Sequence, residues 1–509
     1  MKGTEMIRKH SRVRFVASAA AALAVGAASL LGGTAANATE TPDYGNINTD
    51  ATGSIVIHKH EHQVGDDAQA GNPNGDSNIT SPGVDGVTFT AFKLDGLDLT
   101  KQADWEKLAD LTANADCSGT NAAGITKGAV AGEATTANGG QATISELDVA
   151  AYLVCETGAT PESNVIDHAT PFIVTIPRPD NGGWIYNVHA YPKNGVTDIT
   201  KEVVTPATYG LGTVIDFPVT TKVPTVADNG EFTHFVVADK LDDRLGSPAV
   251  ASVTSGDTTF VVDVDYEVIT NGQSVRVEFT TDGLKKLAAD FENQNVVTTF
   301  QGTVNSIGEG TITNSATVFV NDPFDENGTN GIPSNEVVTK WGDLRVQKIN
   351  DQNPATALEG ATFEVYAAVT PYADDCSAAT PTGNAISIKG ATTFTSDATG
   401  HVAGIDGLFV SDTETGEQAQ RCYVIKETAA PAGYVLPEGD AAFTAVTVKA
   451  GTTNVADWDV KVKNSQAGVP ELPMTGAQGQ IIMAVTGGAL LALAVGLVLA
   501  RRRQATSAE

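Results

Sequence analysis

Between residues 40 and 466 the chain repeats one pattern. Short runs of alternating apolar and polar residues are separated by Gly, Asn, Asp and Pro. A period of two puts one side of a strand against a core and the other in water, and runs this closely punctuated mark antiparallel sandwiches. Two stretches break the period. Asp104–Ala115 carries Trp105, Leu108 and Leu111 at helical spacing, and Asp282–Phe291 carries Leu284, Leu287 and Phe291 on one face. Both read as short helices between strands. The expected fold class is therefore all-β, as tandem sandwiches with small helical excursions.

Three segments open alike: Gly53–Lys59, Asp198–Val204 and Asp343–Lys348. They divide the sandwich region into 39–195, 196–337 and 338–466. Asn321–Ser334, dense in Asp, Asn, Gly and Pro, closes the second unit, and Ser465–Glu471 is a short stalk. In each opening strand a lysine falls on the apolar side. Lys59 shares a face with Ile55 and Ile57, Lys201 with Ile199 and Val203, and Lys348 with Leu344 and Val346. A buried ammonium is costly unless paired or deprotonated.

The same parity finds partners. Val460, Val462 and Asn464 share a face with Trp458, and Tyr423 and Ile425 with Glu427. In the second unit Phe235, Val237, Asp239 and Leu241 align, as do Ile312, Asn314, Ala316 and Val318; Asn321 has the opposite parity. Burial lowers an amine pKa and raises a carboxyl pKa. A neutral lysine can then attack an asparagine amide while the acid polarises the carbonyl and shuttles protons, with ammonia leaving. The alternative is an ordinary buried ion pair.

Both ends carry longer apolar runs. Lys2, Arg8, Lys9, Arg12 and Arg14 precede the apolar stretch Val16–Leu31, and Ala36-Asn37-Ala38 is a cleavage site, so residues 1–38 read as a signal peptide. At the other end, 467–509, Leu472-Pro473-Met474-Thr475-Gly476 precedes the uncharged run Ile481–Ala500 and Arg501–Arg503. Such a run is long enough for a transmembrane helix, with the arginines holding its end inside. In this order the parts resemble a cell-wall sorting signal, the substrate of a sortase. The resemblance implies cleavage between Thr475 and Gly476; a plain tail anchor is the alternative.

Charge and cysteines narrow the picture. The formal net charge is −30, and removing both ends takes away eight of the 31 basic residues but only Glu5 and Glu509 of the acidic ones. That argues against nucleic-acid partners and for a self-repelling surface protein. The four cysteines, in an exported chain, suggest two disulfides. Three connectivities are open, and the unit boundaries favour Cys117–Cys155 and Cys376–Cys422. His58, His60 and His62 line one strand face, a stripe that could bind zinc but reads more simply as a solvated edge. Asp322–Asn330 lacks the spacing of a calcium loop. No hydrolase, zinc-protease or phosphate-loop motif occurs, so neither metal nor cofactor is expected and the chain does not read as an enzyme.

Tyr423–Tyr434 (YVIKETAAPAGY) resembles the E-box of sortase-assembled Gram-positive pilins, of the type-2 fimbrial or SpaA-like kind. The third unit is similar to their immunoglobulin-like CnaB modules and the second to the CnaA variant, in which aspartate replaces glutamate. The resemblance implies three tandem immunoglobulin-like domains. It also implies isopeptide bonds Lys348–Asn464, catalysed by Glu427, and Lys201–Asn314, catalysed by Asp239. Tyr152–Thr157 looks like a shortened E-box without its Ala-Pro-x-Gly-Tyr tail. A bond Lys59–Asn194 with Glu156 is thus one that some members of the family have and others lack.

Trp184–Asn194 resembles the pilin motif, with Ala190 where valine is usual. Its Lys193 falls on the face opposite Val188 and Asn194. The implied role is to take the Thr475 acyl group of another subunit from a sortase, so that copies join head to tail into a fibre. The implied partners are identical pilin subunits, a class C pilus sortase, a housekeeping sortase, peptidoglycan, a tip pilin, and host or bacterial surface receptors. The implied location is secreted, in the cell wall, as a fimbrium. A wall-anchored monomeric adhesin or a minor pilin is the alternative.

Overall fold

The computed structural model describes residues 46–62, 71–75, 78–180, 182–226, 231–468 and 477–505. The expected signal peptide and Leu472, Pro473, Met474, Thr475 and Gly476 lie outside the described residues. Strands dominate the described chain, in paired sheets as the alternating pattern predicts.

In the first region the strand Gly53–His58 lies between Asn187–Ala190, to which it is parallel, and the antiparallel Gln141–Leu147. A second sheet runs Thr126–Thr135, Val87–Asp95, Ala150–Ala159, Phe172–Ile176. Ile55, Ile57, Phe89, Tyr152, Val154 and Val188 fill the space between them. The next region has two five-stranded sheets. Val214–Lys222 and Asn295–Val304 are central in one, and Ser274–Phe279 and Phe235–Lys240 in the other. The last region sets Val346–Asn350, flanked by His401–Val402 and the parallel Val460–Asn464, against a sheet built on Thr362–Ala368 and Gln420–Ala429.

A further sheet crosses the boundary expected at 337/338. Thr311–Asn314 pairs with Val337–Gly342, which pairs with Leu408–Asp412. The run expected as one face from Ile312 to Val318 is two strands broken at Ser315. Its four inward residues stay buried, but Thr311–Asn314 and Ala316–Val320 belong to different sheets. The apolar core is accordingly continuous from Ile199 to Val462. Arg421 sits in this joint, 5% exposed. Its guanidinium lies over Tyr209 at 4.4 Å, Tyr372 at 5.0 Å and Phe409 at 5.3 Å. The joint between the first and second regions is polar: Lys222 pairs with Glu61 at 2.8 Å and Asn164 donates to Asp198 at 3.0 Å.

Three α-helices are described. α1, Gln102–Leu108, is shorter than the expected 104–115. Its N-cap lacks a side-chain bond, and beyond Leu108 the chain closes on itself: Thr112 and Asn121 exchange hydrogen bonds and Asn114 N–H donates to Gly119 O. Cys117, at φ 59°, then turns the chain toward Cys155. α2, Thr281–Asp290, matches expectation, with the Thr280 hydroxyl capping Gly283 N–H and Leu284 and Leu287 buried. Both expected disulfides are present, Cys117–Cys155 and Cys376–Cys422. α3 spans Ala477–Ala505. Among the described residues no helix is long and apolar enough to cross a membrane. The described side chains of α3 cover only 485–501, short of the roughly 20 residues a span needs, so the transmembrane expectation for Ile481–Ala500 rests on sequence.

Candidate functional site: three buried lysines and a half-buried fourth

Burial follows the strand parity. Lys59, Lys201 and Lys348 are all within 2% of complete burial, although lysine is rarely buried at all. In the last region the parallel pairing sets Asn350 opposite Asn464 and Lys348 opposite Val462, so the lysine stands two positions before the asparagine's partner. The Lys348 ammonium donates to Asn464 Oδ1 and, at 3.0 Å, to Glu427 Oε2. Asn464 Nδ2 donates to Glu427 Oε1 at 2.8 Å, which closes the ring of three groups. Burial lowers the Lys348 pKa, against the opposing pull of Glu427.

The first region repeats this geometry. Parallel pairing sets Glu61 opposite Asn194, and Lys59 again stands two positions earlier. Lys59 donates to Asn194 Oδ1 and meets Glu156 Oε2 at 3.2 Å; Asn194 Nδ2 donates to Glu156 Oε1 at 2.8 Å. Burial lowers the Lys59 pKa to about 8, opposed by the charge of Glu156. Glu156 lacks the tail of the E-box yet occupies the place that Glu427 occupies.

The second region brings the same residue types together differently. Lys201 donates to Asp239 Oδ2, and Asn314 Nδ2 approaches the same oxygen at 3.3 Å. Asp239 Oδ1 and Asn314 Oδ1 are buried without a hydrogen-bond partner. Burial lowers the Lys201 pKa and raises that of Asp239, so both shifts move the pair toward its neutral form.

A phenylalanine lies under each ammonium, which parity along single strands did not reveal. Phe89 is 5.7 Å from Lys59, Phe217 is 5.2 Å from Lys201 and Phe363 is 5.9 Å from Lys348. Register explains two of them: Phe89 pairs directly with Glu156 and Phe363 with Glu427. Each ring excludes water and offers the ammonium a π face. Chemically, the first and last trios place an amine against an amide, with an acid spanning both, whereas in the second one carboxylate oxygen stands between the amine and the amide.

Lys193 differs. It pairs with His60 in a two-residue parallel bridge and is half-buried, where the sequence predicts an outward side chain; its neighbour Asn194 is fully buried. Pro192 interrupts the strand between Asn187–Ala190 and Lys193–Asn194, and the partial burial lowers the Lys193 pKa. The histidine stripe is not a solvated edge. His58 hydrogen-bonds His189 at 2.8 Å and stacks on Tyr191, His60 bonds Ser81 O, and His62 faces Asp167 at 3.8 Å. Among the described residues no group of side chains is arranged to hold a metal.

Comparison with known proteins adds three family matches. Residues 50–195 match the N-terminal D1 domain of Gram-positive pilin subunits, 342–462 a prealbumin-like fold domain, and 464–505 the LPXTG cell wall anchor motif. The chain is 37% identical over 530 residues to fimbrial subunit type 2 of Actinomyces naeslundii, covering 95% of this chain and 96% of that one. It is similar in structure to the full-length major pilin SpaD of Corynebacterium diphtheriae, with a TM-score of 0.64 and 28% identity over 83% of this chain and 99% of that one. The major pilin SpaA of the same species follows at 0.51 and 25%, covering 81% and 100%.

Proposed function

Because the chain belongs to the family of Gram-positive fimbrial subunits, structural proteins anchored at the cell wall through an LPXTG motif, we propose that it is the shaft subunit of a covalent pilus. In this reading a pilus sortase of class C cleaves after Thr475 and holds its carbonyl as a thioester. The Lys193 amine of another copy attacks that carbonyl, and the thiol leaves. Repetition joins subunits head to tail, and a housekeeping sortase transfers the last one to peptidoglycan.

The observation that carries this reading is the placement of Lys193. Within the pilin-like run Trp184–Asn194 it lies on the partly exposed side of a strand whose next residue, Asn194, is sealed in the core. Partial desolvation favours the neutral amine, the form that attacks a thioester.

The three trios support internal crosslinks. Lys59 would join Asn194, Lys201 would join Asn314, and Lys348 would join Asn464, with Glu156, Asp239 and Glu427 moving the protons. The SpaA pilin is itself described as carrying stabilising isopeptide bonds in a modular pilus assembly. Adhesion to host or bacterial surfaces, with a tip pilin at the fibre end, is the role such a shaft would serve.

The test is Lys193→Ala expressed in place of the native chain. Surface extracts on a denaturing gel should lose the high-mass ladder and keep the single subunit. A surviving ladder would refute the shaft reading in favour of a wall-anchored monomer.

A further inference from the structure

The three carboxyl groups are not equivalent. Glu427 meets Lys348 and Asn464, and Asp239 meets Lys201 and Asn314, with no other described side chain in either set. Glu156 has two further partners. Its Oε2 accepts from the Ala169 N–H at 3.0 Å, and its Oε1 lies 3.1 Å from His168 Nδ1. The Glu156 side chain is completely buried, whereas that of His168 is 69% exposed. His168 sits in the loop between Pro161–Ser163 and the strand Phe172–Ile176, so its ring joins the sealed acid to water.

Those extra contacts change the chemistry asked of Glu156. Lys59, Asn194, Ala169 and His168 together occupy both oxygens of Glu156. Crosslinking requires an unprotonated Lys59 amine. In the last region Glu427, with only Lys348 and Asn464 on its oxygens, is placed to take that proton itself. In the first region both oxygens of the acid already carry further partners, and an imidazole nitrogen stands at one of them, ready to carry the proton on.

We propose that His168 is the proton outlet of the Lys59–Asn194 crosslink, a positioning and relay residue that this trio has and the other two lack. The inference rests on the crosslink reading above. The Lys59 ammonium passes one proton through Glu156 to His168 Nδ1, and Nε2–H releases one to solvent. The neutral Nζ attacks Asn194 Cγ; the Nζ–Cγ bond forms and the Cγ–Nδ2 bond breaks. A second Nζ proton crosses Glu156 to Nδ2, which leaves as ammonia. One ammonium and one amide thus become one amide, ammonia and a proton. The groups that face His168 are Glu156 on its strand, Lys59 behind it and Asp167 beside it; Asp167 in turn accepts from Gly195 N–H at 2.6 Å and faces His62.

The full chain synthesised cell-free in an oxidising mixture with mild detergent provides the test, sampled over time by peptide mass mapping of all three crosslinks. His168→Ala should form the Lys59–Asn194 bond about 100-fold more slowly, with the other two bonds and the Cys117–Cys155 disulfide unchanged. Added imidazole should restore the rate, since the vacated site opens to solvent. Equal rates in His168→Ala and native chain, or a slow variant that imidazole does not rescue, would overturn the proposal and leave the crosslink reading intact. A native chain that never loses ammonia at Lys59 would overturn both.

Discussion

If the internal bonds exist, tension applied to the fibre must bypass most of the chain. With the proposed linkage, force would enter a subunit at Lys193 and leave at Thr475, so it would cross the span between Lys348 and Asn464, 116 residues apart in sequence. A covalent link there carries the force through two side chains and keeps the intervening strands folded. Asn464→Ala removes the electrophile and leaves the Lys348–Glu427 pair in place, so the region still folds but lies in the line of force. The Cys376–Cys422 disulfide spans 46 of those residues and keeps them closed. About 70 residues are then free to extend, a release of about 240 Å at roughly 3.5 Å per residue, and the full span yields about 400 Å once the disulfide is reduced. Single-molecule pulling between position 193 and the C-terminal end measures both steps. The native chain should show neither. A native chain that gives the same 240 Å step carries no bond at Lys348. An Asn464→Ala chain without the step would refute the assumed path of the force.

Four other outcomes are expected. The intact mass of the chain from Thr39 to Thr475 should fall short of the sequence mass by about 17 Da per crosslink, as ammonia, and about 2 Da per disulfide, as hydrogen. Glu427→Gln should suppress only the Lys348 crosslink, and Asp239→Asn only the Lys201 crosslink, both read in the same mass spectra. Burial lowers the uncrosslinked Lys59 amine to about 8 in the fold, against 10.5 when free, and Asn194→Ala keeps that amine uncrosslinked. The unfolded state then binds more protons between these values, so stability should rise from pH 8 to about 10.5, by up to roughly 3 kcal/mol, in denaturant titrations. Arg421→Ala should cost about 2 kcal/mol and speed hydrogen exchange at the Phe409 amide, which donates to Tyr209 O across the second joint.

Period-two parity made the trios legible because it works within single strands. Ile55, Ile57 and Lys59 cannot face different ways while the strand is regular, and the same holds for Ile199 with Lys201 and Leu344 with Lys348. Cross-strand register is not written in any one strand, so Phe89 opposite Glu156 and Phe363 opposite Glu427 were invisible. Parity also fails where a strand breaks. Ile312–Val318 kept its inward set but split between two sheets at Ser315, and Pro192 turned the strand before Lys193, leaving that lysine half-buried. Helical spacing overran at α1 because Leu111 packs as part of a loop held by Cys117, which spacing does not distinguish from another helical turn. His168 had no signal at all. It lies in an irregular loop, and only the fold brings it to Glu156.

Lys193 stands at the far end of the first region. With the proposed linkage there, residues ahead of it, including the Cys117–Cys155 loop and α1, would ride on the fibre without carrying its strain. Their surface would be at liberty to diversify, as a display module, at no mechanical cost to the filament, whereas the two regions that follow would be committed to holding it together.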